Sequence, residues 1–179
     1  IHLDGARLFN AAVALGIEAK EITQHTDSVM FCLSKGLCAP VGSILAGSRK
    51  FIEQARKNRK IMGGGLRQAG VLAAAGLIAL KEMRHRLNDD HQNAALLEKL
   101  LDGIEEIEVA HDRRDINFVF FKHKKDVNLD AEAFVEFMRG KNILINPCDK
   151  EGYFRLVTHY WITKEHVQFI ADTMKQFYS

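Results

Sequence analysis

The chain has 179 residues, 47% of them hydrophobic, and carries 25 Lys and Arg against 23 Asp and Glu for a formal charge of +2. This is enough apolar material for one or two packed domains, and the charge balance argues against nucleic acid or an anionic membrane surface as a partner. Apolar runs stop well short of a membrane span, no stretch reads as a secretory leader, and three cysteines without a Cys-x-x-Cys pair point to free thiols in a reducing, cytoplasmic setting.

Residues 1–4 read as the end of a strand, closed by Gly5. Because Ile1 rather than Met opens in mid-strand, the chain is expected to be part of a longer polypeptide. A helical period of Leu8, Ala11, Ala12 and Leu15 predicts a helix over 6–15, stopped at Gly16, and 17–25 holds a shorter helical segment. The continuous apolar run 28–33 reads as a strand buried on both faces. A second strand at 43–46 could pair with it as a hairpin around Lys35. Residues 48–60 form a basic helix with Phe51, Ile52 and Ala55 on its apolar side, broken by Gly63-Gly64-Gly65. The stretch 66–101 is helical throughout, and its apolar part, 69–80, reads as a buried helix, suited to a core or an interface. A composition shift near Met83 sets the expected division: residues 1–83 complete one domain and 84–179 form a small α+β domain. In the latter, strands are expected at 107–110, 118–121, 143–145 and 154–157. Helices are expected at 131–139 and 164–177, the last capped by Thr163.

Lys35 carries the chemistry most plainly. It follows the buried strand in Leu33-Ser34-Lys35-Gly36-Leu37, where an amine can be partly desolvated and so turned into a nucleophile toward carbonyls. Pyridoxal phosphate requires such a lysine, together with an acid for its ring nitrogen. Asp4, at another strand exit, offers that acid, or else caps the following helix. On residue type alone, Lys35 reads more readily as a solvated turn lysine, since most lysines face water. Arg7 is an exposed helix residue or an anion clamp, its planar fork suiting a carboxylate. Arg155, inside the apolar strand 154–157, either points outward or meets an anion. Arg56, Arg59 and Lys60, with Arg67 beyond the glycines, make a solvated basic face or a phosphate-facing edge. The histidines lack His-x-x-x-His spacing, so no metal site is expected; no phosphate-binding P-loop pattern and no Gly-x-Ser-x-Gly elbow occur.

Taken together, His2-Leu3-Asp4-Gly5-Ala6-Arg7, Cys32-Leu33-Ser34-Lys35-Gly36-Leu37, Ala39-Pro40-Val41-Gly42-Ser43, Arg59-Lys60 with the block from Gly63 to Gly70, Asp90-His91 and Arg155-Leu156-Val157-Thr158-His159 resemble the C-terminal half of the low-specificity L-threonine aldolases. The resemblance implies an α/β chain: the C-terminal part of a fold type I (aspartate aminotransferase-like) large domain plus a small α+β domain. It implies pyridoxal 5'-phosphate held by Lys35, with Asp4 on the pyridinium nitrogen. Arg7 and Arg155 would take the carboxylate of a small β-hydroxy-α-amino acid. Lys60 and Arg67 would approach the cofactor phosphate from a neighbouring subunit of a homotetramer. The family's phosphate loop and two histidines would lie upstream, in a missing N-terminal half. Another fold type I enzyme, an aminotransferase or β-eliminating lyase, and a non-catalytic assembly fragment are the rival readings.

Overall fold

The computed structural model describes residues 1–113, 115–124 and 130–179. Its backbone divides into two compact units, Ile1–Asn88 and Asp89–Ser179.

The first unit is built on a three-stranded sheet of β1 (His2–Asp4), β2 (Ser28–Cys32) and β3 (Ser43–Gly47) in that order. β1 runs parallel to β2, with Asp4 opposite Met30, and β3 returns antiparallel as the expected hairpin, from Ser28 opposite Gly47 to Cys32 opposite Ser43. A parallel pair needs a crossover, supplied here by α1 (Leu8–Leu15) and α2 (Ala19–Thr23). Gly5 makes the sharp exit from β1 possible. Its N–H donates to the Met30 carbonyl at 2.9 Å, and a Cβ at this position would sit 2.8 Å from that same oxygen. A small core of Leu33, Leu37, Ala39, Ala79 and Leu87 lies against Phe9 and Phe31, whose rings meet edge to face at 5.3 Å.

α3 (Arg49–Ile61) starts at Ser48, whose Oγ accepts the Phe51 N–H at 3.3 Å. It ends in a Schellman motif: Gly64 N–H donates to Arg59 O and Gly63 N–H to Lys60 O, with Gly63 at a φ of +89°. The glycine block is therefore first of all a helix stop. α4 (Gly70–Lys81) corrects one expectation. Read as buried, it encloses Gly76 and Ala79 but leaves Val71 at 78% and Leu77 at 54% exposure. Nor is 66–101 one helix. After α4 the chain makes a 3-10 turn at Met83–Arg86, and α5 (Leu87–Leu101) begins afresh. Basic residues close the turn while Asp89 and Asp90 open α5, the charge order that favours two separate helix ends.

The second unit has an antiparallel sheet of β4 (Ile107–Val109), β5 (Phe118–His123) and β6 (Phe154–Val157), with β5 central. α5, α6 (Ala131–Gly140) and α7 (Lys164–Tyr178) supply Leu97, Leu101, Phe134, Met138, Val167 and Met174 to a continuous core with Val119, Phe121 and Phe154 from the sheet. Thr163 caps α7 in a reciprocal box with His166. The strand expected at 143–145 is absent. Asn142 takes a left-handed φ of +62° and Ile143 N–H turns back to Met138 O at 2.9 Å, so the segment closes α6 instead of joining the sheet. Ile145 is buried and Ile143 packs against the core, while Leu144 is 85% exposed.

Candidate active site

β1 and β2 are parallel, so their carboxyl ends reach the same edge of the sheet, and the residues that follow them meet there. From β2 the chain enters a loop closed on itself: Ala39 N–H donates to Leu33 O at 3.0 Å, and Cys38 N–H to Lys35 O at 2.9 Å. Leu33, Leu37 and Ala39 are buried and pin the loop from below. Gly36 must be small, since a Cβ there would lie 2.8 Å from Leu87 Cδ2 and 3.3 Å from Asn10 Oδ1. With its neighbours anchored downward, the Lys35 side chain is held outward and exposed. The partial desolvation expected for its amine is not supplied by the described residues of this chain.

Asp4 is exposed at the end of β1, and its Oδ1 accepts the Ala6 N–H at 3.2 Å. It does not cap α1, whose N-cap position is Arg7. One carboxylate oxygen is thus oriented by backbone in a local turn. Arg7 and Lys35 line one small cleft, together with Asn10, Cys32 and Gly36. Asn10 was not singled out from the sequence; a polar residue on the apolar face of α1, 3% exposed, was the available signal.

Lys60 is exposed in the last turn of α3, its Nζ 2.6 Å from where a Gly65 Cβ would stand, so that glycine leaves room for the lysine chain. Arg67 is exposed and lines, with Arg59, Gly63-Gly64-Gly65 and Leu66, a groove of about 780 Å³.

Arg155 belongs to the second unit, where it is exposed on the side of β6 away from the core. Around it the outward sheet face alternates cations and rings: Arg155 over Phe118 at 5.5 Å, Arg113 over Phe120 at 4.1 Å and over Tyr153 at 4.9 Å. Lys122 donates to Glu108 at 2.9 Å and to Tyr153 Oη at 3.3 Å, and these hydrogen bonds hold its ammonium above the ordinary lysine pKa. Sequence reading found Arg155 but not the rings beneath it; Phe118 and Phe120 at alternate positions on one strand were the missed sign.

The model of the beta-eliminating lyase family matches residues 1–124. The low specificity L-threonine aldolase of Escherichia coli K12 is 44% identical over 99% of this chain and 50% of its own length. The probable low-specificity L-threonine aldolase 2 of Arabidopsis thaliana is 40% identical over 99% of the chain and 50% of its own length. The chain therefore spans about half the length of the curated relatives it matches. Among solved structures, a putative L-allo-threonine aldolase of Listeria monocytogenes superposes with a TM-score of 0.78 at 17% identity, over 98% of this chain and 51% of that one. A tryptophan decarboxylase of Catharanthus roseus superposes with a TM-score of 0.76 at 15% identity, over 99% and 42%. The fold is thus the one these enzymes share, the type I fold expected from the sequence. Matched along more than half its residues, the chain belongs to the beta-eliminating lyase family.

Proposed function

We propose that this chain is the C-terminal part of a pyridoxal 5'-phosphate-dependent aldehyde-lyase that cleaves L-threonine and L-allo-threonine to glycine and acetaldehyde. The observation that carries this reading is that Arg7 and Lys35 line one cleft at the edge of the parallel strand pair where β1 ends in Asp4. The 44% identity to an aldolase supports the choice of reaction. The donor set fits the cofactor. Lys35 presents a free-standing amine for covalent attachment, and Asp4 presents an acceptor-only carboxylate that keeps a proton on the ring nitrogen. Bound there, the cofactor supplies the electron sink that carbon–carbon cleavage requires.

The remaining work belongs to the chain's own side chains. Arg7 and Arg155 bind the substrate α-carboxylate, and their fixed forks select the orientation of the Cα–Cβ bond. Lys60 and Arg67 serve the phosphate end from a neighbouring subunit of a homotetramer. Exposed Val71, Leu77 and Ile78 on α4 support an assembly in which a neighbouring subunit, or the segment matching the other half of the relatives, covers them. Among the described residues no helix is long and apolar enough to cross a membrane, and we place the enzyme in the cytoplasm.

Replacing Lys35 by Ala in the full-length protein is expected to abolish both the visible absorbance of the lysine-bound cofactor and threonine turnover. Retained threonine cleavage would end the assignment. The matching family's description names β-elimination, so the products decide between reactions: glycine with acetaldehyde supports the aldolase, a keto acid the alternative.

A further inference from the structure

Arg155 has two possible aromatic supports on the outward sheet face, and the structure divides them. The β5/β6 register sets Arg155 directly opposite Phe120 and sets Phe118 opposite Val157. Phe120 is already covered by the Arg113 guanidinium at 4.1 Å. Arg155 instead lies over Phe118, its diagonal neighbour, at 5.5 Å from the ring centroid. That offset carries the guanidinium along β6 toward the Phe118–Val157 pair.

The diagonal cannot slip. Immediately beyond the Phe118–Val157 pair, Thr158 N–H donates to Asn117 O at 3.1 Å and Asn117 Nδ2 donates to Thr158 O at 2.6 Å. Thr158 Oγ1 adds a bond to Asp90 O at 2.6 Å. Asn117 and Thr158 are 2% and 1% exposed, so shifting the strands by one residue would leave buried polar groups without partners.

We infer that Phe118 is the positioning residue for Arg155: its ring holds the guanidinium in a preset direction, so that less freedom is lost when a carboxylate binds. This deepens the proposed reading and rests on Arg155 being the carboxylate clamp. Stacking on an aromatic face suits a planar guanidinium, and a preoriented fork binds with a smaller ordering cost. In this role Phe118 acts on the carboxylate through Arg155.

The test is a double-mutant cycle in the full-length, cofactor-loaded protein, read as KM and kcat for threonine. Phe118→Leu should raise KM roughly two- to fivefold, the strength of an exposed cation–aromatic contact, with kcat and cofactor absorbance unchanged. Phe118→Tyr, which keeps the ring, should restore the original KM. In an Arg155→Ala background, Phe118→Leu should change KM no further. The inference fails if Phe118→Leu leaves KM unchanged while Arg155→Ala raises it, or if the Phe118 effect persists at full size without Arg155. Should Arg155→Ala itself leave KM unchanged, the clamp reading falls.

Discussion

Phe121, Phe134 and Phe154 in the 89–179 unit are wholly enclosed, whereas in the 1–88 unit Val71, Leu77 and Ile78 stand mostly in solvent. The difference has a physical source. In the second unit three helices cover one face of a complete antiparallel sheet, and apolar side chains from every layer meet in one cluster. In the first, the sheet has three strands, and its apolar core cluster is small: three Leu and two Ala. One region stabilises itself. The other leaves the apolar surface of α4 and its Lys35 loop exposed, and exposed apolar patches of this kind mark contact sites.

The sharpest way to break this comparison is to hollow out the self-sufficient region. Phe134 packs against Phe121, Phe154 and Phe177 with ring centroids 5.2–6.0 Å apart. Phe134→Ala should cost about 3–5 kcal/mol, the usual cost of a deleted core aromatic with its cavity. The chain has one tryptophan, Trp161, which lies in this unit, so its fluorescence during urea unfolding reports the unit directly. A loss below about 1 kcal/mol would mean that the aromatic cluster is not the source of the unit's stability.

A smaller effect within the same cluster is set by pH. His123 ends β5 among Phe134, Phe154 and Tyr178, and burial lowers its pKa from 6.5. The folded unit resists the proton that the unfolded chain accepts. Stability is therefore complete above about pH 6.5 and declines as pH falls through that value toward the lowered folded pKa. The groups around His123 on the packed elements are two phenylalanines, Ile107 across the sheet and the Tyr178 hydroxyl, whose own pKa burial raises. His123→Phe should remove this acid-side slope in urea midpoints measured between pH 7 and 5. An unchanged slope would place the titrating group elsewhere.

The same contrast decides what could be read from the amino-acid order. Short apolar runs marked β5 and β6, and the periods of α6 and α7 were plain, because in the second unit burial follows local pattern. In the first unit, Gly5 and the Lys35 loop were legible as strand exits, since glycine and a polar turn after an apolar run have few other uses. Hydrophobicity alone could not say whether α4 faces a core or a partner, and it was read as buried. Ile145 is buried while Leu144 is exposed, and burial without a ladder partner makes no strand. Likewise, Asp4 and Lys35 were visible as chemistry, while Phe118 beneath Arg155 depends on a register that no single strand reveals.

The smallest predicted effect tests the exposed region by expecting almost none. Val71 is 78% exposed on α4, so Val71→Ser removes little buried apolar area. Serine and valine also differ little in helix propensity. The unfolding midpoint of this chain should move by no more than about 0.5 kcal/mol, the scale of ordinary surface substitutions. In the full-length protein the same change places a hydroxyl where an assembled neighbour would cover it, and burying that group without a partner costs on the order of 1–3 kcal/mol. The variant should therefore fold normally as this chain while shifting the assembly toward smaller species in light scattering. If it destabilised the chain as strongly as a core truncation, α4 would have to be covered already, and the contrast between the two units would disappear.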